Sequence, residues 1–241
     1  MRLMARSLPL LALALMAASA TRAAVRQAPP SPARLRAESA ATPPGFVYVP
    51  GGPCRLGTAD ADGEEDAPAR TVFVPSFYIG RCEVTHAEWK RFRPDHRIPP
   101  GAARLPVTNV SFEDTLAYCR FAGGRLPTEA EWEKAARGTD GRRYPWGDRF
   151  DPRRTNLRPA EGAAAPACLA PHRRRRLEPV DAYPAGASPC GALNMAGNAW
   201  EWVSDLYEGN PSQRVIRGGA AGYRERSGRT YSRGVEGAGV T

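Results

Sequence analysis

The segment Asn194–Asp205, with the sequence NMAGNAWEWVSD, decides how we interpret the rest of the chain. Its first half contains three residues that adopt positive φ angles at low cost, which predicts a tight turn: Asn194, Gly197 and Asn198. Its second half, residues 200–203, has the composition of a short strand, in which successive side chains point to opposite faces. Both indoles therefore lie on one face as a large apolar anchor, and Glu201 lies on the other.

The same segment gathers several oxygen donors within a few residues. The side chains of Asn194, Asn198 and Glu201, together with backbone carbonyls of the turn, form a ligand set that suits a hard cation such as calcium. An asparagine-capped turn that leads into a core strand accounts for these residues without any metal. Local chemistry favours the plain turn, so the calcium site stands here as the alternative.

The first 20 residues have the pattern of a secretory signal peptide. Arg2 and Arg6 supply a positively charged start, residues 8–18 form an apolar run, and Ala18-Ser19-Ala20 is a small-x-small cleavage site. The apolar run is too short to cross a bilayer as a permanent helix. We therefore predict export to the periplasm or the medium, with no transmembrane segment after cleavage.

Composition divides the remainder into a linker and one domain. Residues 21–44 are rich in Ala and Pro and contain almost no large apolar side chains, so we predict a disordered linker. Residues 45–241 have the length of one ordinary domain, with aromatic residues throughout and no internal repeat. We expect a single domain from residue 45 onward.

The net charge of the chain is +9, and only two of its 34 basic residues are lysines. Its densest basic run, Arg173–Arg176, lacks the interleaved aromatic residues of a groove for single-stranded nucleic acid. A solvated loop accounts for the run better. We predict no nucleic-acid partner.

Cysteine and histidine residues give little support to a metal site built from sulfur or imidazole. The chain has five cysteines, and in an exported protein we expect some to pair and at least one to stay free: Cys54, Cys82, Cys119, Cys168 and Cys190. They form no CxxC motif, and the three histidines form no HExxH or HxH motif. Zinc and two-histidine iron sites are therefore disfavoured.

Three helices are predicted where a hydroxyl precedes a carboxylate by three residues, as in a capping box. These pairs are Thr85 with Glu88, Ser111 with Asp114, and Thr128 with Glu131. Strands are predicted at residues 46–49, 71–74, 77–79, 200–203 and 215–216. The pattern of few helices and scattered strands indicates an α+β fold.

Several longer motifs, taken together and in order, resemble the sulfatase-modifying-factor family, the formylglycine-generating enzyme (FGE) domain. They are GRLPTEAEWEKAARG at residues 124–138, YPWGD at 144–148, NMAGNAWEWVSD at 194–205 and RVIRGG at 214–219. The resemblance extends from residue 45 to the end of the chain. It implies a compact α+β fold of the FGE type, with little regular secondary structure and a relation to C-type lectin domains.

Catalytic members of this family oxidise a sulfatase cysteine to formylglycine, using molecular oxygen and a copper(I) ion held by two cysteines, and they also bind calcium. The family's calcium segment matches in full, so the resemblance implies calcium ligands at Asn194, Gly197, Ala199 and Glu201. This implication reverses the preference for a plain turn. A second family calcium site would begin at Asn156 and Leu157, but its carboxylate position falls on His172, where neighbouring arginines repel a cation.

The copper positions depart from the family pattern. The two cysteine positions fall on Tyr223 and Gly228, neither of which suits copper(I), a soft ion that prefers thiolate. We therefore predict no copper and a non-catalytic pseudoenzyme with a binding or structural role, whose protein or peptide partner is unknown. The alternatives are a formylglycine-generating oxidase, acting directly or through thiols relocated to Cys168 or Cys190, and an iron oxidase with a histidine-rich site.

The resemblance carries two further expectations. Family members normally continue with a closing strand that reads like GFR, so we expect a domain that lacks this strand. The family often pairs a cysteine of the second helix with that strand, which makes Cys119 the expected unpaired cysteine.

Overall fold

The computed structural model describes residues 1–5, 42–59, 68–160 and 176–237. Within these ranges nine short strands form three antiparallel sheets, and three short α-helices pack against them. The architecture is α+β, with few helices and much irregular chain, as predicted. None of the helices in the described ranges is long and apolar enough to cross a membrane. Most of the predicted linker lies outside the described residues.

The three predicted helix starts are confirmed. Helix α1 (His86–Phe92) follows Thr85 and α3 (Glu129–Arg137) follows Thr128, each with both hydrogen bonds of a capping box. Helix α2 (Phe112–Phe121) has only the Ser111 half of that arrangement, because its third residue is the shorter Asp114. Gly138 closes α3 with a φ of 70°, a conformation that glycine adopts without strain.

One sheet contains four strands: β1 (Met4–Ala5), β2 (Phe46–Val49), β5 (Phe77–Gly80) and β6 (Gly124–Arg125). Their order across the sheet is β2-β5-β1-β6. The strand β1 lies inside the predicted signal peptide, and the sequence pattern did not predict a strand there. Its two residues pair with β5 on one side and β6 on the other.

The other sheets have two and three strands. Strands β3 (Gly52–Leu56) and β4 (Arg70–Val74) form a hairpin-like pair, and β7 (Glu201–Tyr207), β8 (Asn210–Arg217) and β9 (Arg233–Gly237) form a meander. The predicted strands at 200–203 and 215–216 are thus longer than expected. Strands β3 and β9 were not predicted, because Gly and Pro interrupt the former and Gly and Glu dilute the apolar pattern of the latter.

Two apolar clusters form the core, and the NMAGNAWEWVSD segment contributes to both. Trp132 of α3 is fully buried in one cluster with Met195 and Val203, and Trp202 belongs to the other, with Phe112 stacked edge-on at 5.6 Å between ring centroids. Truncation of a buried indole such as Trp132 to alanine costs about 3–5 kcal/mol of stability. Of the predicted anchor, Trp202 is buried in the second cluster and Trp200 packs against it while partly exposed.

A buried ion network fastens α3 to β8 immediately before the Gly218-Gly219 pair. The guanidinium of Arg217 donates to Glu133 Oε2 at 2.8 Å and to Glu129 Oε1 at 3.1 Å. Glu133 Oε1 also accepts a 2.7 Å bond from Arg137. Because a buried charge is tolerated only when it is paired, this network fixes the register of β8 against the helix.

Candidate functional site

A second buried group of charges in the described chain centres on Glu201, the first residue of β7. Its carboxylate is fully buried and accepts hydrogen bonds from Arg2 Nη2 at 3.1 Å, Arg2 Nε at 3.1 Å and Trp132 Nε1 at 2.8 Å. The period-2 pattern predicted that Glu201 points away from the indoles of Trp200 and Trp202, its two neighbours in sequence. The Glu201 side chain does lie on the other face of the strand, and that face is also buried, against Trp132.

A second buried carboxylate, Glu83, lies beside this pair. Its two oxygens accept hydrogen bonds from the side-chain amides of Asn194 at 3.0 Å and Asn198 at 2.9 Å. Burial, followed by the charge of Glu201, raises the pKa of Glu83 to about 7. Sequence reasoning missed Glu83, because a single Glu between a predicted strand and a predicted helix carries no metal-binding or catalytic motif.

The four predicted calcium ligands fall in one turn. Asn194 and Gly197 have φ angles of 55° and 103°, as the sequence predicted, and all four residues of the set are buried. A Cβ at Gly197 would overlap Thr155 Oγ1, so this position requires glycine for space as well as for φ. The turn is thus tightly fixed, which is a precondition for a cation site built partly from backbone carbonyls.

The donor set fits a hard cation in chemistry and in charge. Among the described residues, Glu201 Oε1 accepts one hydrogen bond, from Arg2, and a carboxylate oxygen has two acceptor positions, so a cation could take the second. Glu83 and Glu201 together carry two negative charges against the single guanidinium of Arg2. Burial lowers the pKa of the Met1 amino group, which weakens that group as a second counter-charge. Either a proton on Glu83 or a bound cation would balance the excess negative charge of the two carboxylates.

The family's second calcium site, which the sequence disfavours in this chain, is only partly described. Asn156 Oδ1 accepts from the Asn198 backbone N–H at 2.7 Å, and Asn156 Nδ2 donates to Asn198 Oδ1 at 3.0 Å. Asn156 is therefore engaged in holding the first turn. His172, the position of the missing carboxylate, lies outside the described residues.

The two copper positions do not fit copper. Tyr223 is 53% exposed and stacks edge-on against Trp200, with ring centroids 5.7 Å apart. Gly228 is buried, and a Cβ placed there would overlap Leu157 Cδ1 and lie 3.3 Å from Ala196 Cβ. As it stands, Gly228 offers no ligand atom to copper, and a side chain at this position would require Leu157 to move.

The structure gives no support to thiols relocated toward Tyr223. Cys190 lines a cavity of about 800 Å³ between β3 and the end of α3, together with Cys54 and Lys134, and its sulfur lies 3.4 Å from the Ala135 carbonyl oxygen. This cavity shares no lining residue with the one beside Tyr223. Cys168 lies outside the described residues.

The four cysteines that the structure describes are all free: Cys54, Cys82, Cys119 and Cys190. Cys119 is free, but so are the other three, so the structure does not single it out as the unpaired cysteine, and the described cysteines do not form the expected pairs. Cys119 is also almost completely buried. The described ranges contain no group of three or more His, Cys, Asp or Glu residues placed to hold a metal ion. His86 and His96 instead contact each other, with 2.8 Å between Nδ1 and Nε2.

A cavity of about 400 Å³ opens beside Tyr223, at the edge of the Gly218-Gly219 segment. Aromatic and aliphatic side chains form much of its wall, and polar groups lie at its rim: Trp200, Trp202, Tyr223, Ile216, Asn109 and Glu236. This volume lies within the range of small-ligand sites, about 300–1,000 Å³. The tryptophan pair was the only sequence signal for this cavity, and we interpreted it as a core anchor.

The helix-poor α+β fold and the oxygen-rich turn that packs against Gly218 define a domain of the formylglycine-generating type. The model of the FGE-sulfatase family, described as "Sulfatase-modifying factor enzyme 1-like domain", matches residues 32–240. The chain therefore belongs to the FGE-sulfatase family.

Similarity to characterised relatives extends over most of this chain. It is 35% identical to a hercynine oxygenase of Mycolicibacterium smegmatis, over 72% of this chain and 53% of that protein. It is 32% identical to the inactive C-alpha-formylglycine-generating enzyme 2 of Mus musculus, over 73% of each chain. It is 31% identical to the formylglycine-generating enzyme of Streptomyces coelicolor, over 80% of this chain and 85% of that enzyme. The chain thus spans about half the length of the oxygenase.

A solved structure supports the same fold. PvdO from Pseudomonas aeruginosa aligns over 81% of this chain and 89% of its own, with a TM-score of 0.64 and 21% identity. At this identity the likeness concerns the fold alone. The relation to C-type lectin domains stays a prediction.

Proposed function

We propose that this protein is an exported, non-catalytic member of the FGE-sulfatase family that binds a peptide or protein partner. The observation that carries the proposal is the pair of copper positions. One is an exposed phenol, Tyr223, and the other is Gly228, which has no side chain and lies closely packed against Leu157 and Ala196. A relative that aligns over 73% of its own length is itself named as an inactive formylglycine-generating enzyme, which supports the proposal by analogy.

The cavity beside Tyr223 is the site that we propose for the partner. Its aromatic wall suits an apolar side chain of a peptide, while Asn109 and Glu236 at the rim offer polar groups to the peptide backbone. The exposed Tyr223 ring and the half-buried Trp200 ring meet there, and such aromatic residues often dominate binding energy.

Calcium belongs to this proposal as a structural ion at Asn194, Gly197, Ala199 and Glu201. When bound, it would supply positive charge to a turn that already holds an excess of buried carboxylate. Glu201 and the turn carbonyls would hold it, and Asn194 keeps its amide group on Glu83. A cation that binds only the folded state stabilises by mass action, by about 2.7 kcal/mol at a hundredfold excess over its dissociation constant.

The decisive experiment separates binding from turnover. The purified full-length protein is incubated with copper, oxygen and a peptide that contains a Cys-x-Pro-x-Arg motif, and mass spectrometry monitors formation of the aldehyde. We expect none. Aldehyde formation that disappears in Cys168→Ser or Cys190→Ser would establish the oxidase instead.

Binding is measured in parallel with the Ser form of the same peptide, which cannot be oxidised. Tryptophan fluorescence reports the titration, because Trp200 and Trp202 line the cavity. Tyr223→Ala should weaken binding, whereas Phe73→Ala, at an equally exposed aromatic residue that does not line this cavity, should not. Equal titration curves for the two variants would place the peptide elsewhere.

Export is tested by N-terminal sequencing of protein recovered from the periplasm or the medium. We expect a chain that begins at Thr21 or a few residues later. An intact Met1 in that fraction would contradict export by cleavage.

A further inference from the structure

The first five residues are built into the middle of a sheet. Met4 is paired with Ile79 of β5 on one side and with Arg125 of β6 on the other. Leu3 O accepts a 2.6 Å hydrogen bond from the Gly80 N–H, and Met1 O accepts a 2.8 Å bond from the Val84 N–H. Because β5 and β6 are joined only through β1, these residues close the sheet.

The Arg2 side chain extends from this strand into the interior and is fully buried. Its Nη1 donates to the Gly80 carbonyl and its Nη2 to the Leu193 carbonyl, each at 2.5 Å. Its Nε and Nη2 form the two-pronged contact with Glu201. A planar guanidinium matches a carboxylate in this way, and an ammonium group does not.

We call the space between β5 and β6 that holds residues 1–5 the slot. Glycines on both of its sides leave room for this strand. A Cβ on Gly124 of β6 would overlap Met4 O and crowd the Leu3 side chain. A Cβ on Gly80 of β5 would lie 3.3 Å from Arg2 Cγ. Glycine therefore occurs on both sides at the points where the backbone of residues 2–4 passes.

The slot is formed almost entirely by residues far along the chain from its occupant. Glu201 is 199 positions from Arg2, and Leu193 is 191 positions away. The N-terminal strand thus contacts the domain as a separate peptide would in strand addition, in which backbone bonds supply affinity and side-chain pockets supply specificity.

We propose that the slot between β5 and β6 is a binding site for an extended peptide with arginine at its second position. In the uncleaved chain its occupant is the protein's own segment Met1–Ala5. The segment that carries the export signal therefore also completes the core of the domain. This proposal goes beyond the proposed function. Met1 also lines the cavity beside Tyr223, but the contacts of Arg2 and Met4 that carry the proposal lie outside that lining.

Cleavage after Ala20 separates this strand from the domain. The slot then holds Glu201 and Glu83 without the guanidinium, and it exposes unpaired edges of β5 and β6. Removal of one partner from a buried ion pair is strongly destabilising. The cleaved domain consequently has a site that selects an arginine-bearing strand.

The test uses the full chain with a protease recognition sequence inserted between residues 21 and 44 and cut after folding. We expect the fragment that contains residues 1–5 to co-elute with the domain on gel filtration. The same fragment with Arg2→Ala should be released, whereas Arg6→Ala, a matched loss of charge four residues later, should be retained. Equal retention of the Arg2→Ala and Arg6→Ala fragments would overturn the proposal, as would immediate release of the wild-type fragment.

A second measurement guards against failure of the Arg2→Ala chain to fold. A fluorescent synthetic peptide of residues 1–7 is exchanged into the cut wild-type protein, and its Arg-to-Ala version should bind at least about a hundredfold more weakly. Hydrogen exchange at the Gly80 and Val84 amides should be slow while the slot is filled and should accelerate when the peptide leaves. Equal exchange rates in the two states would show that the strand does not occupy the slot.

Discussion

Trp132 donates a 2.8 Å hydrogen bond from its indole Nε1 to Glu201 Oε2, joining the helix α3 to the strand β7 inside the core. Among the described residues, the bond is one of three that hold the buried carboxylate, the other two coming from Arg2. We expect Trp132→Phe to lower the free energy of unfolding by about 1–3 kcal/mol, because the buried carboxylate loses a donor.

Chemical denaturation measures this change. Trp146→Phe is the matched control, since its Nε1 also donates at 2.9 Å, but to the Arg149 carbonyl near the surface. We expect a smaller loss for the control. If the two substitutions cost the same, the bond to Glu201 has no special role in stability.

Restoring the family cysteine at the two copper positions should lower the stability of the protein by different amounts. Tyr223→Cys should cost about 1 kcal/mol or less, because Tyr223 is half exposed and loses only its ring contact with Trp200. Gly228→Cys should cost about 1–3 kcal/mol or more, because the new side chain overlaps Leu157 and Ala196. Thermal melting of the two variants makes the comparison.

The double variant extends this prediction to activity. With the steric conflict at Gly228 unrelieved, the two thiols should not form a copper site, and we expect no aldehyde product on a Cys-x-Pro-x-Arg peptide. Copper-dependent turnover by the double variant would contradict this account of why the site is degenerate.

Much of the fold followed from local signals in the sequence. The hydroxyl–carboxylate pairs at Thr85 and Thr128 located two helices, since a capping box depends on residues three positions apart. The turn at Asn194 and Gly197 was predicted from residues that adopt positive φ at low cost. The α+β class and the family followed from motifs in order.

The candidate site was harder to predict from the sequence, because its residues come together only through contacts between distant parts of the chain. Glu83 and Glu201 are far apart in sequence, and nothing in either local pattern indicates that both are buried beside Arg2. Strand β1 was missed for a different reason. A charged start followed by an apolar run is the pattern of an export signal, and the same residues also have the pattern of a short strand with one arginine.

The cysteines should label in an order set by burial. Cys82 and Cys190 are half-buried, whereas Cys54 and Cys119 are almost completely buried, and burial raises the pKa of each of the latter two thiols to about 11. Because thiolate is the reactive form, we expect an alkylating reagent at neutral pH to modify Cys82 and Cys190 first. Peptide mapping of the folded protein provides the measurement.

In denaturant all four of these cysteines should react equally, which is the control for reagent access. This expectation differs from one based on the family alone, in which Cys119, the cysteine left without a partner, would be the first to react. Preferential labelling of Cys119 in the folded chain would mean that α2 is less tightly packed than the structure indicates.

The last prediction concerns competition for Glu201 between Arg2 and calcium. Both bring positive charge to the same buried carboxylate, and two positive charges a few ångströms apart repel each other by about 4 kcal/mol at an effective dielectric constant of 20. Arg2→Ala should therefore raise the affinity of the turn for calcium by at least about tenfold, even though it lowers stability in EDTA. Arg6→Ala should leave both quantities unchanged.

The measurement is the rise in melting temperature from EDTA to excess calcium, compared among wild type, Arg2→Ala, Arg6→Ala and Glu201→Gln. We expect the largest rise in Arg2→Ala and none in Glu201→Gln, which loses the one charged ligand. A rise that is the same in Arg2→Ala and wild type would mean that calcium does not contact Glu201. If no variant responds to calcium, the turn is held by its asparagine hydrogen bonds alone, and Arg2 is the only cation that the carboxylate requires.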